Sequence, residues 1–370
     1  MVIAGLMCSS GSCHAQDWDG VLAPIVRGVA LFRTGSELSM LELRLRNRRD
    51  QVLIRRLSGE RLLQDDESES EVWSKPGFGP ASVGQRMGFL MRQDGSWALV
   101  SNFHKGGGRG LDYWWCTKNP HDAGAAGTVA HLRAMDVAVV ESHLQWIALD
   151  QVPKGHKGPI LRDIWDLQLI ESSGVVRVIG CGDGRAIFAG DDYDDGDVIW
   201  SAKLPSGTEA GPPAAAAGQY PVLLVGARIT VGSSPRVVRW RGASLLAVRT
   251  GDEGRIDSAL RFYRSKDLAK WEIDAYISNT VVAQKCYAIA IDGDQVWLAT
   301  TVTEGTTRRV RLLYFAQREG RWVQVALLEA PQNESASRRD PHLWLLPTEK
   351  PEGPSVVFRG EDGAMTLLRR

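Results

Sequence analysis

The sequence predicts an all-β chain folded as a ring of similar sheets, a β-propeller of six four-stranded antiparallel blades, with seven or five as alternatives. Three observations predict it. Short apolar runs flanking turn residues recur along the chain, near Arg48, Gly95, Glu141, Gly184, Gly242, Gly293 and Gly353, about every 51 residues. A repeat of that length is the mark of arrays and propellers, and one blade needs about four short strands. Trp271 and Trp322 close two successive units 51 positions apart. Helical periodicity is almost absent, the stretches ASLLAV and HLRAMDVAVV being too short and too β-branched to compete.

The units follow in order. Ser39–Leu57 alternates apolar and charged residues with period two and reverses at Asn47–Asp50, a half-buried hairpin. Arg86–Ser101 carries Asp94-Gly95 between two apolar runs, the strongest short hairpin signal. Met135–Asp150 is a weaker version, and Val175–Gly190 repeats the pattern with Asp183-Gly184. Gln64–Glu71 reads as a solvated acidic loop. The Pro-, Ala- and Gly-rich stretch Lys203–Pro221 reads as an exposed loop between units. The final run, from Ser355, stops after two strands, so the ring is expected to close with a strand from Val21–Phe32. Seven turn signals suggest seven units, and six if one is an insertion.

Composition narrows the function. Forty-four basic and 44 acidic residues leave no net charge, which argues against nucleic acid as the partner. Of the basic residues 34 are arginine, a residue suited to holding carboxylates through two hydrogen bonds. Thirteen tryptophans are expected mostly between sheets, with a minority at the channel mouth as platforms for sugar rings. Five cysteines, Cys8, Cys13, Cys116, Cys181 and Cys286, show neither disulfide nor zinc spacing, and the seven histidines show no metal-binding pattern. No metal or other cofactor is therefore expected. The exception to weigh is Asp191–Asp197, DDYDDGD, whose carboxylates offer the oxygen chemistry of calcium outside the usual loop register. Residues 1–16 read as the remainder of a secretory signal cut near Gln16, leaving 17–370 as a single domain, secreted or periplasmic and monomeric. No apolar run approaches bilayer-spanning length.

The segment YRSKDLAKW resembles the S-x-D-x-x-x-W strand-turn of sialidase-like and furanosidase- or invertase-like propellers, with Ser265, Asp267 and Trp271 at the matching positions. Leu268 after the Asp is closer to the furanosidase form. The resemblance covers about Pro235–Val325. It implies a glycan-handling propeller, in which this Asp ties a rim turn and the chemistry lies in the central funnel, at the starts of the inner strands. Those positions hold Arg86, Arg236, Tyr287 and the pair Arg339-Asp340. A sialidase-type site implies three arginines on a carboxylate, here Arg86, Arg236 and Arg339, and a tyrosine nucleophile, here Tyr287. Arg339-Asp340-Pro341 resembles the RDP of furanosidases, which implies a transition-state role for Asp340, although it opens the final repeat instead of lying mid-chain.

Ordinary glycosidase chemistry needs two carboxyls flanking the bond. Asp136, Asp163, Asp166, Glu171, Asp257 and Asp340 are the candidates; Asp163 and Asp166 flank Trp165, where burial would raise a carboxyl pKa. The Gly cluster at Asn102–Gly110 lacks a phosphate-loop pattern and reads as a loop on the ligand face, with His104 and, just beyond it, Trp115 as contacts. Two functions therefore stand side by side: hydrolysis of a glycan, with an anionic sialic-acid-type sugar among the candidates, and binding of a carbohydrate or protein without catalysis.

Overall fold

A computed structural model describes residues 25–34, 37–46, 49–58, 63–64, 69–76, 87–105, 108–122, 124–125, 128–134, 136–139, 146–148, 160–161, 164–183, 197–204, 222–250, 258–278, 281–284, 286–304, 307–331, 342–348, 353–360 and 364–368. Six sheets follow one another along the chain and surround a central channel as a six-bladed propeller. The first blade is β1 (Ile25–Thr34), β2 (Glu37–Arg46) and β3 (Arg49–Ser58), with β4 (Leu63–Gln64) and β5 (Ser70–Pro76) both on β3. The second is β6 (Gly88–Met91), β7 (Trp97–Lys105), β8 (Gly108–Cys116) and β9 (Ala130–Ala134). Next come β10 (Asp136–Val139), β11 (Trp146–Ala148) and β12 (Ile160–Leu161), then the third blade, β13 (Ile164–Ser172), β14 (Val175–Asp183), β15 (Asp197–Leu204) and β16 (Val222–Val231). The fourth blade is β17 (Ser233–Trp240), β18 (Ala243–Thr250) and β19 (Ser258–Ser265), with β20 (Glu272–Ile273) and β21 (Val282–Ala283) sharing its outer edge. The fifth is β22 (Tyr287–Asp292), β23 (Gln295–Glu304), β24 (Thr307–Ala316) and β25 (Arg321–Glu329), and the sixth β26 (His342–Leu346), β27 (Ser355–Arg359) and β28 (Met365–Leu368).

The turn chemistry explains the hairpins. Arg241 and Gly242 both adopt left-handed φ, 51° and 72°, between paired Trp240 and Ala243. That is the two-residue turn whose twist matches paired strands. Ser173 and Gly174 do the same between Ser172 and Val175. The tight turn between β13 and β14 therefore lies there; β14 runs to Asp183 and pairs with β15, and Gly184 of the expected turn lies outside the described residues. The weak signal at Met135–Asp150 is not a blade. β10 and β11 both pair with β16, in parallel and antiparallel fashion, widening the third sheet to seven strands. Seven turn signals thus yield six blades.

Each blade is apolar on both faces, so neighbours must cover it. Among the described residues, one buried cluster fills each of the six seams. Trp97, Trp114 and Trp200 are fully buried within them, as the tryptophan count predicted. The seam between first and last blades is packed by Val29, Met40, Leu57, Leu346 and Val357. The expected closure by a strand from Val21–Phe32 differs from what is found. Its residues from Ile25 onward form β1, the inner strand of its own blade, paired with β2. The described last blade has three strands, and side-chain packing joins it to the first. Above that packing sit Glu42, Arg44, Arg55 and Glu69 of the first blade, with Arg359 of the sixth close enough to act on Glu42.

The turn after β19 is tied as the motif implies. The Asp267 carboxylate accepts from the Ala269 and Lys270 amides at 2.8 and 3.0 Å and from the Ser265 hydroxyl at 3.2 Å, while Leu268 takes a left-handed φ of 61°. The Lys270 and Ala269 amides hold this carboxyl below the usual carboxylate range. Asp267→Ala is expected to lower stability by about 1 kcal/mol at neutral pH, modest because the charge is exposed and screened. A folded-state pKa below the unfolded one stabilises above the ordinary carboxylate range and ceases to as pH falls through the lowered value. Urea titrations of both proteins should therefore converge in acid; a gap that widens in acid would contradict the tie.

Candidate functional site in the central channel

The six inner strands β1, β6, β13, β17, β22 and β26 all line one cavity of about 180 Å³. They approach closely: a side chain on Gly88 of β6 would come within 2.9 Å of the Gln168 and Leu169 backbone of β13. Because the strands of each blade are antiparallel, all six inner strands begin on one face of the ring, together with the β7–β8 hairpin end. Among the described residues most of the wall is apolar by residue type, including Leu31, Ile289 and Trp344, but polar atoms make up most of the surface it turns to the cavity; its polar side chains are Gln168, Arg236 and His342. The His342 and Trp344 rings stack at 5.7 Å.

Three of these strands are irregular where they enter. β1 is bulged between Val26 and Gly28, β13 between Trp165 and Gln168, and β17 between Ser233 and Arg236. Two non-glycine residues in the bulges, Asp166 and Ser234, adopt left-handed φ of 51° and 52°. Such backbone costs about 1–3 kcal/mol and gathers at functional sites, where bulges re-aim side chains.

Here the re-aimed groups meet. Asp166, 7% exposed, places Oδ1 3.7 Å from Nη2 of Arg236, 6% exposed, on the neighbouring blade. Arg236 also donates through Nε to the Tyr287 carbonyl at 3.2 Å and through Nη1 to the Pro235 carbonyl at 2.5 Å, with the Tyr287 ring 5.2 Å away. Its Nη2 makes no hydrogen bond among the described residues.

The structure brings Arg236 and Tyr287 into contact, with the tyrosine ring turned away from the channel. Its ring is fully buried between the fourth and fifth blades. Its hydroxyl donates to the Ser234 carbonyl at 2.5 Å, with the Ala247 carbonyl at 3.2 Å. That geometry clamps the fourth blade to the fifth. Trp115 stacks on Tyr113 at 4.9 Å and packs against the cluster between second and third blades, away from the channel lining. His104 lies near the end of β7, on the face where the inner strands begin, opposite Arg109.

Arg86, Asp163, Arg339 and Asp340 lie outside the described residues, as do positions 191–196 of the calcium candidate. Among the described residues no group of three or more His, Cys, Asp or Glu stands together as a metal site, no helix is long and apolar enough to cross a membrane, and Cys116, Cys181 and Cys286 are buried free thiols. Sequence reasoning did not single out Gln168, His342 or Trp344, and left Asp166 as one carboxyl among six. The only signals available were the alternation of HLWLL and the flanking of Trp165.

No protein-family model matches the chain, and no curated protein matches it by sequence. Solved structures do. The α-L-arabinanase of Penicillium chrysogenum complexed with arabinobiose superposes with a TM-score of 0.51 at 10% identity, over 93% of this chain and 92% of that one. The GH93 α-L-arabinofuranosidase of Fusarium graminearum with arabinobiose gives 0.50 at 8%, over 93% and 92%. The Trypanosoma rangeli sialidase in complex with sialic acid gives 0.50 at 10%, over 93% of this chain and 53% of its own, so the chain spans about half the length of that protein. What the chain shares with these glycoside hydrolases is the β-propeller fold.

Proposed function

We propose that the protein is a glycoside-hydrolase-like propeller that binds a sugar in its central channel and cleaves a glycosidic bond at the mouth. The observation that carries this reading is Arg236: a buried guanidinium on the channel wall whose Nη2 lacks a hydrogen bond among the described residues. An unsatisfied buried donor costs about 1–3 kcal/mol, which a ligand oxygen would relieve. Trp344 borders the cavity while packing on His342 and the first-to-last seam, and Gln168 and His342 add polar contacts on the same wall. The shared fold with arabinobiose- and sialic-acid-complexed enzymes is consistent with this.

Cleavage requires two carboxyls. In this reading Asp340 stabilises the developing positive charge and Asp163 serves as the acid, with Arg86, Arg339 and His104 as further contacts at the mouth. The reading includes an exported protein, consistent with the apolar, small-residue start before Asp17. A second reading, a carbohydrate-binding module without catalysis, has its own support: no carboxylate is among the described residues lining the cavity, and the Tyr287 hydroxyl is engaged by main-chain carbonyls.

Hydrolysis of a panel of aryl glycosides, sialosides and arabinofuranosides included, together with calorimetric sugar binding, separates the two. Asp340→Asn is expected to lose about 100-fold or more in turnover while still binding, and Arg236→Gln to bind about tenfold more weakly or worse. Binding without turnover in the unaltered protein selects the second reading, unchanged turnover in Asp340→Asn removes that residue's role, and no binding of any sugar ends both.

A further inference from the structure

Arg236 does not meet the channel as a lone cation. Asp166 reaches across from the neighbouring blade, and the bulge with its left-handed backbone aims it there. Both side chains are more than nine-tenths buried, so the pair is poorly screened and carries no net charge. The other polar groups on the described wall, Gln168 and His342, include no carboxylate and no second arginine.

This arrangement discriminates between ligands. A carboxylate placed against Nη2 would feel attraction from the guanidinium that the charge of Asp166, 3.7 Å from the same nitrogen, opposes in part. The cost of stripping water from the incoming carboxylate would be compensated only in part. A hydroxyl carries no such charge, and accepts from Nη2 while keeping its own hydrogen to donate elsewhere. The apolar residues of the wall accept the apolar face of a ring with no ionised substituent.

We propose that the channel takes a neutral, polyhydroxylated sugar, and that Asp166 is the positioning residue that sets this choice by neutralising Arg236. The inference rests on the glycan reading above and names its substrate class, in place of the acidic sugar that the arginine content and the sialidase resemblance implied.

Matched pairs that differ only in the carboxylate test it: galactose against galacturonate and glucose against glucuronate, with arabinose and N-acetylneuraminate added. Binding to the full chain is measured by calorimetry and by ligand-induced shift of the unfolding midpoint. The neutral member of a pair is expected to bind about tenfold or more tightly than the acidic one. Asp166→Asn should narrow or close that gap, the acidic member gaining about tenfold as the opposing charge goes, while neutral sugars change little. A merely structural role for Asp166 would weaken both members alike. If Asp166→Asn does not fold, the unaltered protein still decides: an acidic sugar binding as tightly as its neutral partner overturns the inference and leaves the glycan reading standing. Binding of neither class overturns both, and Asp166→Asn folding with no gain for acidic sugars overturns the role of Asp166.

Discussion

Trp200→Ala is expected to lower the unfolding free energy by about 3–5 kcal/mol, the usual cost of emptying a buried indole site. Trp200 is fully buried in the seam between the second and third blades, among Val100, Tyr113, Leu167 and Val178. Its indole N–H makes no hydrogen bond, so the loss is one of packing alone. The sequence makes room for it with Gly180, where a Cβ would stand 2.6 Å from the Trp200 ring and 2.8 Å from Leu167. Gly180→Ala alone should therefore cost about 1–3 kcal/mol by overpacking, and less in the Trp200→Ala background, where the ring is gone. Chemical denaturation of the three variants with an unchanged slope measures this. Costs that add fully, or a Trp200→Ala loss below about 1 kcal/mol, would mean that this seam does not carry the ring.

The second large effect lies at the seam between first and last blades. Glu69 holds Arg44 through two hydrogen bonds, 2.6 and 3.2 Å, and pairs with Arg55, both arginines nearly buried. Glu69→Ala leaves the two cations without that carboxylate. The expected loss at neutral pH is about 2–3 kcal/mol, below the value for a fully buried pair because Glu69 itself is 27% exposed. Burial pushes the Glu69 carboxyl up, but the hydrogen bond from Arg44 and the charge of Arg55 outweigh it and hold the group below its ordinary range. A lowered folded-state pKa means stabilisation that is complete above the unfolded value and lost as pH falls through the folded one. The unfolding curves of Glu69→Ala and the unaltered protein should run apart at neutral pH and approach each other in acid. A gap independent of pH would assign the effect to packing.

The hairpins were readable because their causes are local. Asp94-Gly95 and Arg241-Gly242 announce left-handed turn residues between apolar runs, and no distant residue is needed to interpret them. The turn near Glu141 misled because alternation shows only that a strand is half-buried, not which strand pairs with it; β10 and β11 found β16. Arg236, in the first half of β17, lines the cavity. Tyr287 turns into the seam of the fourth and fifth blades, because side chains on an inner strand alternate between its two flanking seams and the local sequence does not say which. The bulge at Asp166 leaves no trace in the sequence, so one carboxyl among six could not be preferred over the rest.

What the sequence by itself determined is the repeated unit: short two-sided apolar strands, tight turns and enough tryptophan to fill the seams between sheets that cannot cover themselves. What only the tertiary structure decided is who meets whom at the centre. Six inner strands converge there from six separate stretches of chain, and their side chains are aimed by bulges and by the pitch of one blade against the next. The ion pair of Arg236 with Asp166 is a product of that convergence, because a through-space distance between strands of different blades is set by ring geometry, which local residue preferences do not encode.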